Sequence, residues 1–270
     1  MSDWKLLKAK KISVCEVCAR KVPAGSPIYW SRARSVIRCE SDKPIDATGT
    51  EGTVVGVAGG SARRQYKSKA EWDEDAVVSR FPKMGRLINL LNDDRQSTMA
   101  WKQGAVGEEG IGSILAQFAQ HNGYVLLNDR RIRGSKANID HILVTDKAVF
   151  VIDAKNYQGM ISVEYASLFS RKEILKIDGK DRTKLALGVQ KQVGLVRDAL
   201  QSEEGSTDSI QGVLAFFAAD WPLISPPKQI FDVKLNGRKG LADLIHNHIS
   251  NAQLDIKKIA NILIKAFPAA

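Results

Sequence analysis

Three residues of the segment NIDHILVTDKAVFVIDAKNYQG, Asn138 to Gly159, carry the chemistry. Asp140 and Asp153 sit inside two runs of Val and Ile, and Lys155 follows two positions later. The apolar runs read as strands, joined by the polar turn Thr145–Lys147. Side chains on a strand alternate between faces. A turn centred between Asp146 and Lys147 pairs Val144 with Val149, Ile142 with Val151, and Asp140 with Asp153. Lys155 falls on the same face, one step further. Two carboxylates placed opposite each other lie about 5 Å apart and repel. The arrangement makes sense when a hard cation sits between them. Mg²⁺ or Mn²⁺ takes carboxylate oxygen and water, and such an ion presents a water for attack. The backbone carbonyl of Ala154 offers a third ligand. Lys155 then orients that water or neutralises charge developing on a phosphate. The competing expectation is that both aspartates cap their strands and face solvent. His141 falls on the opposite face and is expected against a helix.

These residues need elements to hold them. GEEGIGSILAQFAQHNG carries Ile111, Leu115 and Phe118 at helical spacing, and Gly123 can close the helix. Tyr124–Asp129 reads as a strand, Lys184–Leu200 as a helix with Val189, Val193, Val196 and Leu200 on one stripe, and Val213–Trp221 as a buried strand. Residues 160–181 look inserted between the third strand and that helix. Two helices close the chain, near Leu241–Ile249 and Ile256–Phe267. The expected core order is helix, three strands, helix, strand.

The motif IDH…VFVIDAKNYQG resembles the nuclease-related domain called NERD, a branch of the PD-(D/E)XK nuclease superfamily. The resemblance implies an α/β fold with an αβββαβ core, the order already read. It covers about Gly104 to Trp221. It implies a metal-dependent nuclease acting on DNA, with Asp140, Asp153 and Lys155 at its centre. GAVGE matches the family's helix start and puts Glu108 forward as a further catalytic or metal-binding carboxylate. Helix capping is the alternative for Glu108, because it stands in the expected first turn. Glu109, its neighbour, points elsewhere. The family's helix glutamine matches Gln192 better than Gln190; a solvated Gln is the alternative.

The 270 residues split into three parts on this reading: a basic module over 1–45, a linker with helices over 46–103, and the nuclease-like domain over 104–270. Residues 1–40 hold nine Lys and Arg against three Asp and Glu. Cys15 and Cys18 form a C-x-x-C pair. Cys39 begins a second, with Asp42 where its last cysteine would stand. Paired knuckles of this kind make a tetrahedral zinc site. Similar chains carry both pairs, so a structural zinc held by Cys15, Cys18, Cys39 and Asp42, in a small zinc-ribbon-like module, is expected alongside a degenerate knuckle without metal. Arg32, Arg34 and Arg38 beside Trp30, and Arg130, Arg131 and Arg133 before the hairpin, are candidate nucleic-acid contacts. A solvated basic face is the alternative for both groups.

The net charge of +10 favours a polyanionic partner. Three cysteines, no apolar leader and no long apolar run point to a reducing, cytoplasmic setting with no membrane span. GVAGGSARR lacks the Gly-Lys-Ser/Thr of a phosphate loop. A rival function is a nucleic-acid-binding module, or a scaffold for other DNA-processing proteins, that keeps the fold without turnover.

Overall fold

The computed structural model describes residues 4–16, 21–33, 35–40, 52–64, 96–167, 170–202 and 209–270. Its centre is a seven-stranded mixed sheet. The strands are β6 (Thr53–Val55), β7 (Val125–Arg131), β8 (Asn138–Val144), β9 (Val149–Lys155), β13 (Ile210–Phe216), β14 (Gln229–Ile230) and β15 (Val233–Gly237). Their order across the sheet is β14-β15-β13-β9-β8-β7-β6. β7, β8 and β9 form an antiparallel meander, while β13 runs parallel to both β9 and β15.

Helices cover both faces, as buried central strands require. Helix α1 (Gln96–Asn122) lays Ile111, Leu115 and Ala119 on Leu126, Leu143, Phe150 and Ile152. Helix α3 (Leu241–His246) adds Leu241 and Ile245 to that side. Helices α2 (Thr183–Ser202) and α4 (Ile256–Ala266) take the other face. There Val196, Leu200, Leu263 and Ile264 meet Leu127, Ile142, Val149 and Val151. This is a three-layer α/β core of nuclease-like type, in the expected order of helix, three strands, helix and strand.

Several boundaries move. Helix α1 begins at Gln96, well before the expected start, and Gly123 does close it, at φ +73°. The four glycines between residues 104 and 112 read as a helix start in sequence, because glycine costs about 1 kcal/mol in a helix interior. In the fold three of them, Gly107, Gly110 and Gly112, are a contact surface. A Cβ at Gly107 would stand 2.7 Å from the Asn156 Cβ, and one at Gly110 would run into the Phe217 ring. The inserted residues form a hairpin, β10 (Ile161–Ser167) with β11 (Ser170–Ile177), extended by β12 (Lys180–Asp181).

The expected linker needs correction. Thr53–Val55 is β6, parallel to β7 at the sheet edge, so part of residues 46–103 belongs to the core. The N-terminal module is a three-stranded sheet, β1 (Trp4–Lys8), β4 (Pro27–Ser31) and β5 (Val36–Cys39), beside a short pair, β2 (Ser13–Val14) and β3 (Lys21–Val22). Ala9, Cys15, Val22, Ile28 and Cys39 are buried in it.

Candidate functional site

The hairpin register is the one the turn implied. Val144 faces Val149 and Ile142 faces Val151, with His141 opposite Ile152 as the last registered pair. The turn is held by Thr145, whose hydroxyl accepts from the amides of Lys147 and Ala148 and donates to the Ala148 carbonyl. One step past His141 and Ile152 stand Asp140 and Asp153. Asp140 Oδ2 accepts the Ala154 amide at 2.9 Å, tying its carboxylate to the neighbouring strand.

Lys155 closes the group. Its Nζ lies 2.8 Å from Asp153 Oδ2 and 3.8 Å from Asp140 Oδ2, and donates to the Ala154 carbonyl at 3.2 Å. Both aspartates are mostly withdrawn from solvent, so the solvent-facing expectation does not hold for them. Burial raises the Asp140 carboxyl above its usual range, against the pull of Lys155 and the Ala154 amide. Burial, with Asp140 nearby, pushes Asp153 up to about 6 although Lys155 opposes it. Burial lowers the Lys155 ammonium, but Asp153 and Asp140 outweigh it and hold the group above its ordinary value. The two carboxylates therefore favour the charged form of Lys155.

Glu108 lies in the body of α1, on the thirteenth residue of the helix, so it is no first-turn cap. It lines a cleft of about 510 Å³ with Gly104, Ala154, Lys155, Asn156 and Tyr157. Burial, then the charges of Asp140 and Asp129, push it up to about 9. The close approach of α1 at Gly107 and Gly110 is what brings a helix side chain to the end of β9. Glu109 turns away to an ion pair with Arg63, as expected.

Gln192 reaches the same region from α2. Its Nε2 donates to the Asn138 carbonyl at 3.4 Å, two residues from Asp140, and its Oε1 is buried with no hydrogen-bond partner. It is therefore not a solvated side chain. His141 is fully buried on the α1 face beside Gly112, with Nδ1 2.8 Å from Asn128 Oδ1. Burial lowers its pKa to about 4.

Sequence reading missed Asp129. In sequence it reads as the end of a strand, yet it is a third buried carboxylate near the pair. Its oxygens accept the Ser61 amide and hydroxyl, both at 2.6 Å, and the Asn138 amide at 3.1 Å, with Arg64 at 3.5 Å. Its φ is +50°, a region Asp tolerates better than most residues, and no local sequence pattern marks it. Ser61 and Arg64 come from the segment expected to be linker.

Two arginines are corrected. Arg130 is fully buried, and its Nε donates to the Phe267 carbonyl at 2.8 Å, so it ties β7 to the C-terminus. Arg38 is also buried, paired with Glu16 at 2.7 Å and stacked 4.8 Å above the Trp4 ring. Neither presents its charge to a polyanion. Arg32 and Arg131 are exposed; Arg133 is exposed and donates to the carbonyls of Lys265 and Ala266. Arg34, Cys18 and Asp42 lie outside the described residues. Cys15 and Cys39 are buried side by side, the Cys39 amide donating to Cys15 Sγ at 3.4 Å. Among the described residues, no group of three or more His, Cys, Asp or Glu side chains is placed to hold a metal ion. Nor is any helix among them long and apolar enough to cross a membrane.

Residues 103–217 match the family model of NERD, the nuclease-related domain. The match runs from within α1 to just past β13, so it contains every residue of the hairpin group. An uncharacterized protein of Bacillus anthracis is 34% identical over 77 residues, which is 28% of this chain. The chain spans 36% of the length of that curated relative. No solved structure matches the chain.

Proposed function

With residues 103–217 a nuclease-related domain, we propose that this protein is a metal-dependent nuclease hydrolysing DNA phosphodiester bonds, with Asp140, Asp153 and Lys155 as its centre. The single observation that carries this is the cross-strand pair of buried carboxylates with one ammonium beside it. Their oxygens are hard donors, and burial has raised both acids, so the site favours additional positive charge. Asp140 and Asp153 would hold Mg²⁺ or Mn²⁺, with the Ala154 carbonyl and Glu108 completing the protein's share. Such a set of oxygen donors, short of a full protein cage, suits Mg²⁺, which keeps part of its water. The ion would supply Lewis acidity and a more acidic bound water.

The chain's own residues do the rest. Lys155, held charged by its two aspartates, offsets negative charge developing on the phosphate. The Ala154 amide fixes the Asp140 carboxylate, so its geometry costs no reorganisation during turnover. Gln192, whose Nε2 donates to the Asn138 carbonyl two residues from Asp140, keeps a buried, unpartnered side-chain carbonyl oxygen able to accept from a water or a substrate hydroxyl. A structural zinc on Cys15, Cys18, Cys39 and Asp42 is part of the same proposal. The burial of Cys15 and Cys39 next to each other supports it, and metal analysis of the full chain should give near one equivalent.

The test is cleavage of supercoiled plasmid and of single-stranded circles, with Mg²⁺, Mn²⁺ or EDTA. Metal-dependent cutting that disappears in Asp153→Ala is the expected result. DNA binding without cutting under every metal would transfer the assignment to a binding module or scaffold.

A further inference from the structure

The cleft around Lys155 does not end at Tyr157. Three parallel strands, β9, β13 and β15, finish side by side at Lys155, Phe216 and Gly237. Open α/β sheets bind their ligands outside the carboxyl ends of such strands. Here the ends open into a second cleft of about 330 Å³, lined by Phe217, Trp221, Arg238 and Lys239 among others. It adjoins the Lys155 site directly, because the Phe217 amide donates to the Lys155 carbonyl at 2.9 Å.

The groups in this second cleft match the chemistry of an unpaired strand. The Phe217 ring is braced on Gly110 of α1, with the Arg238 guanidinium 5.0 Å from its centroid. Arg238 is exposed, so the pair offers a planar cation backed by an aromatic ring. Trp221 packs edge-on against Phe216 at 6.1 Å and separates this cleft from a neighbouring one of about 280 Å³ lined by Pro222, Pro226 and Pro227. Lys239 is exposed beside Arg238. Aromatic faces and guanidinium planes stack on bases, and flanking cations take the phosphates. In a duplex the bases are already stacked and paired, so such a platform serves unpaired nucleotides. Asp220 also lines the cleft and opposes phosphate there, which leaves Arg238 and Lys239 as the phosphate side.

We infer that the cleft at the ends of β13 and β15 is a single-strand track, in which Phe217, Trp221, Arg238 and Lys239 hold unpaired nucleotides next to the scissile phosphate. This deepens the nuclease proposal by naming its substrate class: strands with at least a locally unpaired stretch.

Binding in EDTA tests it without needing turnover, so its failure and the failure of the nuclease proposal are distinguishable. Anisotropy of a fluorescein-labelled oligothymidine of about 20 nucleotides and of a duplex of equal length would be read across a salt series. The probes are the full chain, Arg238→Ala/Lys239→Ala, and the charge-matched Lys257→Ala/Lys258→Ala on α4. Helix α4 packs over β7 and β8, across the sheet from β15. The Arg238 and Lys239 double variant should bind the single strand about tenfold more weakly and bind the duplex within about twofold of the parent. Its salt slope on the single strand should flatten by about 1.4, at about 0.7 per lost contact. The α4 variant should match the parent on the single strand. Unchanged single-strand affinity, an equal loss on the duplex, or an equal loss in the α4 variant would each overturn the track. Single-strand binding with this pattern in a chain that never cuts would uphold the track and refute the nuclease.

Discussion

The Lys155 ammonium lies 2.8 Å from the carboxylate of Asp153, two residues back on the same face of one strand. Each group sets the other's charge state. Asp153 keeps Lys155 protonated, and Lys155 limits how far burial raises Asp153. A pair so placed can serve a cation site and a phosphate site at once.

Asp153→Ala should lower metal-dependent cleavage by about a hundredfold or more while the protein still melts cooperatively. The variant removes half of the carboxylate pair but also a buried, like-charge contact with Asp140. Its thermal midpoint should match or exceed the parent's at pH 8. Parental turnover in this variant, at ordinary Mg²⁺, would sink the site assignment.

Lys155→Met should cost about a hundredfold in turnover, the size of one lost electrostatic stabiliser. Metal affinity should be kept or strengthened, because the ammonium that shares the two carboxylates is gone. Titration calorimetry with Mn²⁺ separates the two effects. Collapse of metal affinity would make Lys155 a structural residue.

Metal-free stability should fall as pH rises. Glu108 has a folded pKa of about 9 against an ordinary 4.5, so folding favours its protonated form. A group raised in this way contributes stability fully below 4.5 and loses it as pH climbs through about 9. Thermal melts of the apoprotein should decline across that window. Glu108→Gln should flatten the decline and gain about 1 kcal/mol or more at its alkaline end. Mn²⁺ should likewise restore the parent there. A parent whose melting point is level from pH 5 to 9 would show that Glu108 is charged in the fold at no cost.

Truncation separates module from core, provided the cut is placed by the sheet. A chain starting at Gly104 loses β6 and the early turns of α1, and strips Asp129 of both Ser61 donors. Leaving buried polar groups unpaired costs about 1–3 kcal/mol each, so that chain should be unstable. A chain starting at residue 51 keeps these parts and should fold. It lacks residues 1–50, with ten Lys and Arg against five Asp and Glu. Its DNA affinity should be weaker, with a salt slope shallower by about 0.9 per lost phosphate contact on duplex. Equal affinity and slope would assign the module to some role other than DNA contact.

The sequence by itself determined the hairpin and which of its side chains share a face. Strand periodicity is strictly two, so once a turn is placed between Asp146 and Lys147 the faces of Asp140, Asp153 and Lys155 follow from counting. The order of the flanking elements was legible for a similar reason, since apolar stripes such as Val189, Val193, Val196 and Leu200 are local patterns. Only the tertiary structure decided what depends on approach across the chain. Gly107 and Gly110 count against a helix locally, and they extend one because Asn156 and Phe217 need their space. Thr53–Val55 looks like linker because three residues carry little periodicity; it becomes a strand by pairing with β7. Arg130 and Arg38 have the composition of DNA contacts, yet buried carbonyl and carboxylate partners claim them. Asp129 joined the buried acids for the same reason: its partners, Ser61 and Arg64, are more than sixty residues away in sequence, beyond any local pattern.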